Sequence, residues 1–139
     1  MNTMKEAAIQ DIFDRFSSFA DLILHQLSIL ERLINSGALE IPQELSEELI
    51  LNEEKADLFE VKLSDKITNA IVLQKPVASD LRKLMACYRI VINLERIGDS
   101  VMNILNSLKR IKEQIPYIHL YDVISKMLSI SIEMVQKSI

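Results

Sequence analysis

The sequence predicts an all-α protein, an antiparallel up-down bundle of three long helices followed by a fourth. Apolar residues recur at alternating spacings of three and four over long runs, the period of a helix face. Prolines stand only between those runs, at Pro42, Pro76 and Pro116. With only two glycines and no tryptophan, a composition rich in Leu, Ile, Glu and Lys points to helices rather than to many short strands joined by turns. The length of 139 residues suits one domain, 1–139, and the 49% hydrophobic content is enough for a core.

The first helix is expected over about residues 4–35. Ile9, Phe13, Phe16, Ala20, Ile23, Leu27, Leu30 and Ile34 form a coiled-coil-like seam. Asp11 and Arg15 can pair one turn apart on the wet side. Asn35-Ser36-Gly37 reads as a stop, with Gly37 a natural left-handed cap. Pro42 then fits the first turn of a second helix, expected over about 43–74. Its stripe is Leu45, Leu49, Ala56, Phe59, Leu63, Ile67 and Ala70, edged by Glu53, Asp57 and Glu60. Lys75 precedes Pro76 and so avoids helical geometry.

The third helix is expected from Val77 to about Lys112, with Ser79 or Asp80 serving the free amides of its first turn. Apolar residues occupy most of its circumference, so a fourth helix or a second subunit is expected to cover it. Arg82, Arg89, Arg96 and Arg110 form its charged stripe, with acids on adjacent helices as the expected partners. Glu113-Gln114-Ile115-Pro116 breaks the pattern. A fourth helix follows from about Ile118, with Leu120, Ile124, Met127 and Met134 on its apolar side and Val123 and Ile130 beside them. Met102, Met127 and Met134 read as core filling. The chain stops at Ile139 without a cap, as an interrupted element would.

Glu95 and Asp99 are the informative anomaly. A helix turns about 100° per residue, which places Leu84, Tyr88, Val91, Ile92 and Met102 within roughly 60° of Glu95. Two acids one turn apart therefore sit on an otherwise apolar face, which is costly unless something positive compensates. Glu53 and Asp57 repeat the spacing on the second helix. Carboxylates are hard oxygen ligands, and a cation shared between facing helices would remove their repulsion. Asn93 and Arg96 flank the pair and can act around such an ion. The plainer reading is that Glu95 pairs with an arginine from a neighbouring helix. Glu53 and Asp57 would then form a solvated rim, since 20 acidic residues produce this spacing by chance.

Other chemistry finds little support. The net charge of −4 argues against nucleic acid as the main partner. Cys87 is the sole cysteine and lies among apolar residues, which suits a reducing compartment and an inert buried thiol. His25 and His119 have no partner histidine at ligand spacing and read as surface residues, and no Glu-x-x-His marks a di-iron oxidase. No glycine-rich loop is available to cradle a nucleotide. The start, Met1-Asn2-Thr3-Met4-Lys5-Glu6, lacks the apolar run of a signal peptide, and no stretch is long enough to span a bilayer. A cytoplasmic protein, peripheral to a membrane at most, is expected.

Pro76-Val77-Ala78-Ser79-Asp80-Leu81-Arg82, followed by Leu94-Glu95-Arg96-Ile97-Gly98-Asp99, resembles the signature of the PhoU family of phosphate-signalling proteins. The Glu53–Asp57 segment stands upstream at a matching distance. The resemblance implies a PhoU-like helical bundle in which residues 1–112 form one three-helix repeat and 117–139 open a second. It also implies a non-enzymatic cytoplasmic regulator of phosphate transport that links a phosphate transporter to a sensor histidine kinase. It implies metal, iron or zinc, at Glu95 and Asp99, a site the spacing extends to Glu53 and Asp57. Typical members carry two repeats, so a homodimer is expected to rebuild that arrangement. The alternatives are a cytosolic PhoU-like regulatory domain of a sodium–phosphate cotransporter and a carboxylate-bridged metalloenzyme.

Overall fold

The structure, a computed structural model, describes residues 3–36, 41–111 and 117–139, with side chains for all of these except 111 and 117–121. The expectations for Gly37, for the 113–116 break and for the side chains of His119 and Leu120 fall outside that description. Four helices follow in order: α1 (Thr3–Asn35), α2 (Gln43–Gln74), α3 (Ala78–Ile111) and α4 (Tyr117–Ser138). Each begins and ends within two residues of its predicted position. Pro42 stands one residue earlier than expected, at the N-cap of α2. α2 ends at Lys75, whose φ of 44° and ψ of 62° put a non-glycine residue in the left-handed region. At the start of α3 the Val77 carbonyl accepts from the Leu81 amide at 2.9 Å, and neither Ser79 nor Asp80 caps the turn.

α1, α2 and α3 pack against one another as a three-helix unit, and α4 packs on α1. The Ser129 hydroxyl donates to Glu31 Oε2 at 2.9 Å and that of Ser125 donates to Asn35 Oδ1. These contacts pair the N-terminal half of α4 with the C-terminal end of α1, so the two helices are antiparallel.

The apolar core falls into two clusters. One, built from Ile12, Phe19, Ile23, Leu63, Ile67, Leu84, Val91 and their neighbours, lies at the end holding the α2–α3 turn. Phe19 meets Phe59 there with ring centroids 5.9 Å apart. The other joins Leu27, Leu30, Ile34, Leu49, Val101 and Leu105 to Leu128 and Ile132 of α4. Between them runs a polar layer. Gln26 Nε2 donates to the Leu49 carbonyl at 3.0 Å, and Asn52 Nδ2 donates to Gln26 Oε1 at 3.1 Å, both side chains being buried. Buried amides with their partners in place are stable, whereas an orphaned one is costly.

Several sequence expectations change. The α1 face that buries is wider than a two-position seam, because α1 has neighbours on two sides; Ile12, Phe19, Gln26, Ile29 and Leu33 join it. Phe13 and Phe16 are only half-buried. Among the described side chains of α4, those buried are Leu128 and Ile132. Met127 and Met134, expected as core, are 63% and 67% exposed, and Val123 and Ile130 are also exposed. α4 packs chiefly on α1, with α3 residues Val101 and Leu105 reaching its Leu128 and Ile132, so one narrow stripe suffices. An open apolar trough of about 360 Å³ remains, lined by Leu27 and Ile34 of α1, Ile97, Val101 and Ile104 of α3, and Ile124, Met127 and Leu128 of α4. The arginine stripe is also unpaired. Arg82, Arg89 and Arg96 are exposed and form no ion pair among the described residues, because the face they occupy is covered by no described helix.

Asn52→Ala is expected to lower stability by about 1–3 kcal/mol by stranding Gln26 Oε1, read from the urea midpoint at unchanged denaturant slope.

Candidate metal centre

The polar layer continues from Asn52 into the acids. Glu53 and Asp57 stand one turn apart on α2 and face Glu95 and Asp99, one turn apart on α3. One carboxylate oxygen from each lies within 4.8 Å of the others. Glu53 and Glu95 are half-buried, and Asp57 and Asp99 are exposed. The four residues singled out in the sequence are thus brought together, with Asp57 and Asp99 on the solvent-facing side. Among the described residues no other group of three or more His, Cys, Asp or Glu side chains converges in this way. Glu60, the third acid of the α2 edge, is half-buried and near enough to act on Glu95.

Asn93 and Arg96 are exposed on α3, and their side chains make no hydrogen bond or ion pair among the described residues. Cys87 is buried, and burial pushes its thiol up. His25 is exposed and meets Glu48 at 2.9 Å, well apart from the acids.

Gly98 was legible only as part of a motif. Glycine inside a helix costs about 1 kcal/mol relative to alanine, and here a close approach accounts for it. A Cβ at this position would lie 3.2 Å from Glu53 Oε2 and 3.2 Å from Ile23 Cδ1. The missing side chain is therefore the space into which the Glu53 carboxylate fits against the α3 backbone. Glu53 Oε2 is buried there with no hydrogen-bond partner among the described residues.

The electrostatics follow from that geometry. Burial, followed by the adjoining Asp99 carboxylate and then Asp57 and Glu95, pushes Glu53 up to about 8. Burial, with Asp99, Glu60 and Asp57, pushes Glu95 up to about 7. Asp99 is lowered, because a protonated Glu53 or Glu95 can donate to it. Without a cation, the site meets its charge problem by holding protons. The donor set also fits a metal. A buried carboxylate oxygen lacks a partner, a glycine leaves room for it, and four oxygens from two helices converge. All-oxygen ligation suits Mg²⁺, Mn²⁺, Ca²⁺ or iron better than a soft ion.

For the metal-free protein, both glutamates bind protons more tightly folded than unfolded. Their contribution to stability is present below about pH 4.5, the ordinary glutamate value, and is lost as pH rises through about 7 to 8. The melting temperature in chelator should fall between pH 5.5 and pH 8.5, and Glu53→Gln should flatten that fall; an unchanged slope would contradict the shared-proton arrangement.

Comparison with known proteins places the chain in a family. The family profile described as "PhoU domain" matches residues 16–108, which include all four acids and Gly98. A phosphate-specific transport system accessory protein PhoU homolog of Aquifex aeolicus is 38% identical over 96 residues, covering 69% of this chain and 43% of that protein. PhoU homolog 1 of Methanothermobacter thermautotrophicus is 33% identical over 98 residues, 66% of this chain and 45% of its own length. The accessory protein PhoU of Serratia marcescens is 39% identical over 56 residues, 40% of this chain and 23% of its own. The region shared with these relatives is therefore less than half of each of them. No solved structure matches the chain. A three-helix unit bearing paired Glu-x-x-x-Asp segments on α2 and α3, matched by the family profile across that unit, makes this chain a member of the PhoU family.

Proposed function

We propose that the chain is a PhoU-type regulatory domain of phosphate transport, without a catalytic step, whose acidic site holds a metal ion and whose surface engages a phosphate transporter or a sensor histidine kinase in the cytoplasm. The observation that carries the metal is Glu53 Oε2, buried beside Gly98 without a partner and facing three other carboxylates. A bound cation would supply the positive charge that these four side chains lack. Glu53 and Asp57 would hold it from α2, Glu95 and Asp99 from α3, and Asn93 and Arg96 would reach it only through water. The helices would then be tied at mid-length, keeping the exposed edge of the site in one shape for a partner to read. The regulatory role and its transport partners rest on the names borne by the relatives.

Metal analysis of protein purified without chelator should find ion in the wild type and none in Glu95→Ala/Asp99→Ala; equal content in both would remove the site. Gly98→Ala keeps every carboxylate but crowds Glu53, and should weaken affinity about tenfold. Metal at a hundred times its Kd should add about 2.7 kcal/mol of stability.

We further propose that α4 opens a second repeat. Asp122-Val123-Ile124-Ser125-Lys126-Met127 aligns without a gap on Asp11-Ile12-Phe13-Asp14-Arg15-Phe16. In that register the exposed Val123, Met127, Ile130 and Met134 correspond to Ile12, Phe16, Phe19 and Ile23, which lie in or against the core of the three-helix unit. A homodimer that covers this face of α4 and the adjoining trough restores a two-repeat arrangement. Light scattering should return twice the chain mass, and Met127→Glu/Ile130→Glu should return the monomer; a wild-type monomer at high concentration would contradict the dimer.

A further inference from the structure

The end of the bundle where α2 turns into α3 carries exposed apolar side chains among cations that form no ion pair with the described residues, and we propose that this tip docks on an anionic phospholipid bilayer. Leu73 in the last turn of α2 and Val77 just before α3 are 73% and 61% exposed, and Val72 and Leu81 beside them are also exposed. The ammonium of Lys5 donates to the Lys75 carbonyl at 3.3 Å. That bond brings the first turn of α1, with the largely exposed Met4, to the same end. Exposed apolar residues also occur elsewhere on the helices, but at this end those of three chain segments gather around one turn, as at an interaction site.

The charge around them selects the partner. Lys5, Lys75, Arg82 and Lys83 stand at this end against Glu6 and Asp80, in a chain whose net charge is −4. None of the four cations forms an ion pair among the described residues. Lys75 holds its left-handed backbone where glycine would be less strained, so the turn keeps a cation at its apex. Leu73 and Val77 flank the turn at which α2 ends and α3 begins, so they lie at the end of the bundle rather than along a helix face that a partner helix would cover. Apolar contact and attraction of Lys and Arg to anionic headgroups add in such docking. No described helix is long and apolar enough to cross the bilayer. The tip lies apart from the acidic site and from the α3–α4 trough, so the proposal is independent of the metal and of the dimer.

The full chain is mixed with phosphatidylglycerol-containing or pure phosphatidylcholine vesicles and sedimented at low and high salt. Capture by the anionic vesicles alone, weakened by salt, is the expected result. Arg82→Gln/Lys83→Gln should weaken partition about thirtyfold, and Leu73→Ser/Val77→Ser should abolish it, each with unchanged helical circular dichroism. The chain has no tryptophan, so Val77→Trp provides a single reporter whose emission should shift to the blue on anionic vesicles. Absence of capture at low salt, equal capture by both lipids, undiminished capture of the folded variants, or an unshifted indole emission from Val77→Trp would each overturn the proposal.

Discussion

Four carboxylates share one half-buried site between α2 and α3, and the middle of the molecule is arranged around that repulsion. Like charges held partly out of water must be neutralised by protons, by cations or by separation. Here separation is prevented by packing. Leu63, Ile67, Leu84 and Val91 clamp α2 to α3 on one side of the site, and Leu49, Val101 and Leu105 do so on the other. The apolar clusters thus supply the force that holds the acids together. What remains is a site in which Glu53 and Glu95 hold protons more tightly than ordinary glutamates do.

The same level of the bundle explains two residues that helix propensity disfavours. Gly98 removes a side chain so that Glu53 can reach the α3 backbone. Asn52, the neighbour of Glu53 in sequence, turns inward to Gln26 and fixes the rotation of α2 about its axis. A slip of α2 by one residue would take both the amide pair and the carboxylate pair out of position. The polar layer therefore sets the register of α2 against α1 and α3, at some cost in core hydrophobicity.

Helix boundaries and types were legible in the sequence because they depend on local chemistry: proline between runs, a period of three to four within them. The i, i+4 pairing of Asp11 with Arg15, found at 3.0 Å, and the two acidic pairs belong to the same class, since one helix dictates their spacing. The faces of α4 were not legible. Ile124, Met127, Val123, Leu128, Ile130, Ile132 and Met134 are all apolar, and they cover an arc wider than one neighbouring helix can bury. Only the position of α1 decides which of them are inside. The arginine stripe failed for the same reason, because no property of α3 alone tells whether an acid stands opposite.

By itself, the sequence determined four helices, their ends, and the presence of two Glu-x-x-x-Asp pairs, one on an otherwise apolar face of α3 and one along the edge of the apolar stripe of α2. Periodicity and turn chemistry act over a few residues and need no partner to be read. Tertiary structure alone decided that the two pairs meet, that Glu53 lies against Gly98 with one oxygen unsatisfied, that Gln26 and Asn52 join the layer, and that half of α4's apolar surface stays open. Each of these depends on how one helix is rotated and shifted against another. That rotation is set by the sum of many contacts between distant parts of the chain, and no local pattern contains it.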